Sequence, residues 1–100
     1  MADITTQELK ERLDNKETLH IIDVREPHEY EEYNIGAQLI PLGDLPFRMD
    51  EIAHLKDEEV IVHCRSGARS NNAKLFLMEN GFSNVRNLLG GMLEWRAQNG

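Results

Sequence analysis

The sequence predicts an α/β fold in which a largely parallel β-sheet is covered by helices on both faces. Two observations predict it. Short β-branched apolar runs alternate along the chain with helical stretches of about ten residues, the length that parallel crossovers need. The cleanest of these runs, Val60-Ile61-Val62-His63, passes directly into the polar, glycine-containing segment Cys64–Ser70, after which helical spacing resumes.

The elements follow in order. Thr5-Thr6-Gln7-Glu8 fits a capping box, and Leu9 and Leu13 stand four apart, which predicts a helix from about Thr6 to Asp14 with a first short strand ahead of it. Leu19–Val24 reads as a buried strand delivering charge to its C-terminal edge. Glu26-Pro27 opens a short acidic helix through Tyr33, because proline at a first-turn position gives up no hydrogen bond. Gln38-Leu39-Ile40 is a further strand, and Asp44-Leu45-Pro46 starts a helix carrying Phe47, Met49 and Ile52 toward His54. After the cysteine segment, Ala73, Leu75, Phe76 and Met78 mark a helix that Gly81 ends in the left-handed conformation. Val85–Leu88 is the last strand, Gly90-Gly91 a turn, and Met92–Trp95 a closing helix.

Composition narrows the function classes. The chain has 100 residues, 40% of them hydrophobic, and a formal net charge of −7. That describes a single domain over residues 1–100, able to bury roughly 60–70% of its unfolded surface. No Lys/Arg cluster is long enough to displace many phosphate counterions, which argues against nucleic acid as a partner. The longest apolar runs, such as Leu75–Met78, fall far short of a membrane span, and Met1-Ala2-Asp3-Ile4 lacks a signal-peptide pattern, so the expected compartment is the cytoplasm. One cysteine, Cys64, leaves no in-chain disulfide partner and no multi-cysteine metal site.

That cysteine stands where open α/β sheets bind ligands, between the carboxyl end of a strand and the start of a helix. The backbone N–H groups of Arg65 to Ser70 can turn inward around an anion, helped by the helix dipole, by Gly67 and by the charges of Arg65 and Arg69. Such a cradle stabilises a thiolate, making Cys64 acidic and nucleophilic. The competing reading, a small core hydrophobe at the end of a buried strand, fits poorly with two arginines, two serines and a glycine in the next six residues. The spacing of a Walker-type phosphate loop is absent.

Four features together resemble the rhodanese-type sulfurtransferases: Asp23-Val24-Arg25-Glu26 at a strand end, Ile35-Gly36-Ala37 followed by Ile40-Pro41-Leu42, the loop Cys64–Ser70, and Leu89-Gly90-Gly91 with Trp95. The resemblance spans nearly the whole chain. It implies a rhodanese-like fold with a five-stranded, mostly parallel sheet, and a loop cysteine that carries sulfur as a persulfide. Where the family often has His-Ile-Pro-Gly-Ala, this chain has Asn34-Ile35-Gly36-Ala37, a departure expected to affect a turn and not the chemistry. Related phosphatases place one more residue between cysteine and arginine; the four between Cys64 and Arg69 make a smaller ring, suited to one sulfur atom.

The expected chemistry is transfer of sulfane sulfur from thiosulfate or a similar small anionic donor to cyanide or a thiol, through Cys64. Residues Arg65, Ser66, Gly67, Ala68, Arg69 and Ser70 form the expected substrate-binding loop. Neither metal nor organic cofactor is required. A protein acceptor is the alternative, making the chain a sulfur carrier or interaction module without turnover; a cysteine-dependent phosphatase is a further one. Arg69 has two readings, contact with substrate or pairing with Asp23. Asp23 and Arg25 are read as supporting residues that shape the pocket or serve as a salt bridge. His20, His28, His54 and His63 match no metal-ligand spacing, and His63, though next to Cys64, should point to the other face of its strand. Glu26, Glu29, Glu31 and Glu32 read as a solvated helix face, and Phe76, Phe82 and Trp95 as core.

Overall fold

A computed structural model describes residues 2–100. Helix α1 covers Thr6–Asp14, and the Thr5 side chain accepts the Glu8 N–H at 3.1 Å. The capping box is only half made, because the Glu8 carboxylate turns away to receive Arg86. Strand β1 is His20–Asp23, and helix α2, Pro27–Glu32, carries a complete box between Glu26 and Glu29. Strand β2 is Gln38–Leu39 and β3 is Glu59–His63; helix α3 is Ala68–Glu79, β4 is Asn84–Asn87 and helix α4 is Gly91–Asn99.

The strands lie in the order β2-β1-β3-β4, every pair parallel. The sheet thus has four strands where five were expected. The first strand is reduced to one parallel bridge between Ile4 and Leu88, because α1 begins two residues later and leaves no length for a ladder. The segment expected to be one helix from Asp44 to His54 is instead three 3-10 turns, Leu42–Phe47, Met49–Glu51 and Ala53–Leu55. Pro46 inside the first turn cannot donate the N–H that a regular helix needs there. Ile52 is buried, whereas Phe47 is 84% exposed.

Alternation along β3 divides the core. Val60, Val62 and then Cys64 join the cluster that holds Ala73 and Leu77 of α3 with Leu45, Ile52 and Leu55 of the 3-10 turns. Ile61 joins the opposite cluster, with Leu9 of α1 and Met92 and Trp95 of α4. Each side chain steps to the other face of the sheet, so a parallel sheet covered on both sides needs a strand apolar throughout, as Val60–Val62 is. At the end of α3, Gly81 takes φ 96° and the N–H groups of Gly81 and Phe82 close on the carbonyls of Met78 and Leu77, a Schellman cap. No helix among the described residues is long and apolar enough to cross a membrane.

Candidate active site

Cys64 follows β3 at the C-terminal edge of the sheet, and its side chain is buried beneath the loop that leads into α3. Gly67, at φ 107°, reverses the chain so that α3 can begin at Ala68. As a result the Gly67 N–H donates to Sγ at 3.1 Å and the Ser70 N–H at 3.3 Å, with the Ser70 hydroxyl also 3.3 Å away. Burial alone pushes the Cys64 thiol up; the Ser70 hydroxyl and the N–H groups of Ser70, Gly67 and Ser66 outweigh it and hold the pKa below the ordinary cysteine value.

The loop carbonyls face the other way. Cys64 O accepts from the Met92 N–H at 2.9 Å and Arg65 O from the Leu93 N–H at 3.0 Å, so the first turn of α4 spends its free donors on the loop. Gly91 makes this contact geometrically feasible: a Cβ there would lie 2.6 Å from both carbonyl oxygens. On the far side of the loop, Asn87 at the end of β4 donates from Nδ2 to Gly67 O at 3.1 Å, while its Oδ1 accepts the Ser70 hydroxyl.

The arginines divide. Arg69 does not reach Asp23; its two terminal nitrogens bind both Glu29 oxygens at 2.7 and 2.9 Å, tying the loop to α2. The reason is geometric, because Asp23 is already occupied. Arg25 binds it through Nε and Nη2, and the Arg25 backbone N–H binds it as well, all within a buried pair. Glu29 therefore leaves the solvated face assigned to it, and its pKa is held at about 2 by the Arg69 guanidinium against the opposing effect of burial. Arg65 is exposed and forms no ion pair among the described residues. It lines a cleft of about 240 Å³ between α2 and α4, with Arg25, His28, Met92, Leu93 and Arg96 among its walls.

His63 is fully buried beside Asp23, with Nε2 3.7 Å from the carboxylate and neither ring nitrogen hydrogen-bonded. Burial drops its pKa to about 4, so it is neutral near pH 7 and points away from the face that Cys64 joins. The expected turn at Asn34 is present: Asn34 Oδ1 accepts the Gly36 N–H at 2.9 Å, and Gly36 has φ 81°. Trp95 closes one face of the sheet and donates its indole N–H to the Tyr33 hydroxyl at 3.1 Å.

A family model described as Rhodanese-like domain matches residues 5–98. The chain belongs to the rhodanese-like domain family. A sulfurtransferase of Allochromatium vinosum is 39% identical over 94 residues, covering 93% of this chain and 86% of that protein. YtwF of Bacillus subtilis, provisionally named a sulfurtransferase, is 41% identical and covers 98% of this chain and 93% of its own. YrkF of the same organism, provisionally named a sulfur carrier protein, is 37% identical; the match covers 95% of this chain and 51% of YrkF. Among solved structures, a rhodanese-like domain protein of Staphylococcus aureus superposes with TM-score 0.85 at 34% identity, over 95% of this chain and 91% of that one. These relatives place the chain among the proteins of sulfur transfer.

Asn87, Glu29 and Gly91 are the residues of the site that the sequence reading did not assign. Asn87 had no distinguishing local signal, since β4 reads Asn-Val-Arg-Asn and its polarity does not set it apart from Asn84 or Arg86. Glu29 had none, since nothing local separates it from Glu31, and its partner lies 40 positions away.

Proposed function

We propose that this rhodanese-like chain is an enzyme that transfers sulfane sulfur through a persulfide on Cys64. The observation that carries the reading is the pair of inward N–H donors, from Gly67 and Ser70, around one sulfur, with the Ser70 hydroxyl within reach at 3.3 Å. In the first displacement the Cys64 thiolate attacks the outer sulfur of thiosulfate; the S–S bond of the donor breaks, and its electron pair leaves with sulfite. In the second, the carbon of cyanide or a thiolate sulfur attacks the outer persulfide sulfur, and the thiolate of Cys64 is restored. The two steps balance without metal, cofactor or external redox agent.

The loop residues Arg65 to Ser70 bind the donor in this scheme, with Arg65 as the cation free to meet a dianion and Arg69 holding the loop through Glu29. Asp23 and Arg25 support the site as a buried pair that fixes the end of β1. A second reading, a sulfur carrier that hands the persulfide to a partner protein, is favoured by the similarity to YrkF and by Leu89 and Leu93, half exposed at the turn and helix that abut the loop. A reactive unpaired cysteine fits a reducing compartment, which supports the cytoplasm as its location.

The test is the intact mass after thiosulfate treatment. One added sulfur in the wild type, absent in Cys64→Ser, supports the persulfide; a wild type that gains none leaves the proposal without its intermediate. Turnover with cyanide, compared with transfer to protein thiols, then separates enzyme from carrier. Cys64-dependent hydrolysis of an aryl phosphate would instead support the phosphatase reading.

A further inference from the structure

Ser70 has one hydroxyl hydrogen and three acceptors near it. Oγ lies 3.3 Å from Sγ of Cys64, 3.3 Å from the Gly67 carbonyl, and closest to Oδ1 of Asn87, at 2.5 Å. The orientation of the Asn87 amide is fixed by its other end, because only Nδ2 can donate to the Gly67 carbonyl at 3.1 Å; turned over, it would set two oxygens against each other. Oδ1 carries no hydrogen, so the short contact to Ser70 uses the hydroxyl hydrogen. Ser70 then faces Sγ with lone pairs, the arrangement that suits a protonated thiol donating S–H to Oγ. A thiolate has no hydrogen to give and needs one, and the hydroxyl must swing from Asn87 to meet it. The backbone N–H donors cannot swing, which makes the Ser70 hydroxyl the one movable donor in the ring.

We propose that Asn87 is a positioning residue that competes with Cys64 for the Ser70 hydrogen and so sets how readily the sulfur ionises. Its Nδ2 holds the loop in place, while its Oδ1 stabilises the neutral sulfur. After sulfur uptake the inner sulfur carries neither proton nor charge, and the hydroxyl returns to Oδ1, so that Ser70 is satisfied in both forms. Asn87 is itself immobilised on its backbone side: its N–H donates to the Asp3 carboxylate and its carbonyl accepts from the Ile4 N–H, each at 3.0 Å. Asp3 is neutralised by Lys74 of α3 at 2.7 Å.

The charged groups around the loop act alike on both backgrounds of the cycle below, the Arg69 charge on Cys64 included. Arg69 faces it from α3 but is paired with Glu29 of α2. Asp23 and Arg25 of β1 neutralise each other, and His63 of β3 is neutral near pH 7. Arg65 is exposed, and α4 presents only backbone N–H groups to the loop carbonyls. The cycle therefore isolates the competition among Sγ, Oγ and Oδ1.

The test is a double-mutant cycle read as the midpoint of thiolate absorbance and of alkylation rate against pH, measurements that need no sulfur donor. Asn87→Leu keeps the shape and removes both the anchor and the competitor. In a Ser70→Ala background it removes the anchor alone. The midpoint change caused by Asn87→Leu should be more downward, by about 0.5–1 pH unit, with Ser70 present than without it. Asn87→Asp also loses the anchor but strengthens the acceptor and adds charge, and it should shift the midpoint up. Equal changes in the two backgrounds, or equal shifts for Leu and Asp, would overturn the proposal as an ordinary loosening of the loop. Should Asn87→Leu fail to fold, Asn87→Ala takes its place. Independently, the Asn87 side-chain amide of the wild type should move in NMR with the Cys64 midpoint; an amide that stays still through that titration overturns the proposal on the unmodified protein.

The functional importance of this competition rests on the persulfide reading, but its failure is separable. A chain that shows the coupling yet takes no sulfur from thiosulfate removes the proposed function and leaves the Asn87 assignment standing. Sulfur uptake without the coupling does the reverse.

Discussion

Both carboxylate oxygens of Glu29 are bound by the guanidinium of Arg69, at 2.7 and 2.9 Å, across 40 positions of sequence. The pair clamps helix α2 to the first turn of α3 and removes Arg69 from competition for a bound anion. Glu29→Gln should lower stability by only about 0.5–1 kcal/mol, because Arg69 is one-third exposed and the pair is screened by salt. Freed of its partner, Arg69 should then lower the apparent KM for thiosulfate, by about threefold at low ionic strength. Steady-state kinetics at two salt concentrations check this; a raised KM would show that Arg69 serves the donor only when clamped. The Glu29 pKa lies at about 2 in the fold against an ordinary 4.5, so the contribution of the clamp is complete above pH 4.5 and is lost as pH falls through 2.

Ser70→Ala removes a hydrogen-bond donor from the Cys64 thiolate and leaves the backbone N–H donors in place. The thiol midpoint should rise by about 0.5–1 pH unit, followed through the thiolate absorbance, with the fold unchanged. An unaltered midpoint would mean that the backbone donors alone set the ionisation.

Gly91→Ala should be the most damaging single methyl in the chain. Its Cβ would meet the Cys64 and Arg65 carbonyl oxygens at 2.6 Å, with φ at 56°. A loss of about 3 kcal/mol is expected, together with a rise in the Cys64 midpoint as the loop is pushed off α4. Gly36→Ala provides the control: φ is 81° but nothing lies within 4 Å, so it should cost about 1 kcal/mol and leave the thiol alone. Chemical denaturation of the two variants decides between them.

His63 predicts an acid sensitivity of the fold. Its pKa is about 4 in the native state against an ordinary 6.5, because burial disfavours the charged ring despite the nearby Asp23 carboxylate. The unfolded chain therefore binds more protons between these values, and stability should decline as pH falls from 6.5 to 4, by on the order of 2–3 kcal/mol. His63→Leu should flatten that decline in urea titrations at stepped pH. A slope that survives the substitution would assign it to the carboxylates.

How much of this was legible in the sequence depended on range. The bounds of α1, the run of β3 into the cysteine and the Gly81 cap could be read because their causes lie within a few residues: a capping threonine, unbroken β-branched residues, a glycine at the left-handed position. The inward donors around Cys64 were legible for the same reason. The helix expected from Asp44 does not form, because Pro46 lacks the N–H a regular helix needs and apolar spacing alone carries no sign of that. Of the two readings of Arg69, the pairing with Asp23 does not form, because Arg25 already fills Asp23 and Glu29 takes the guanidinium, a three-body fact that no local pattern encodes. Asn87 was missed because its partners, Gly67 and Ser70, meet it only once β4 lies beside β3.

The contact of the α4 amides with the carbonyls of Cys64 and Arg65 orders events during synthesis. Cys64 is made before Met92 and Leu93, and until they dock no α4 amide holds the carbonyls outward. A polypeptide cut short before Met92 should therefore keep a thiol midpoint nearer the ordinary cysteine value, because its loop lacks the α4 amides that hold the two carbonyls outward.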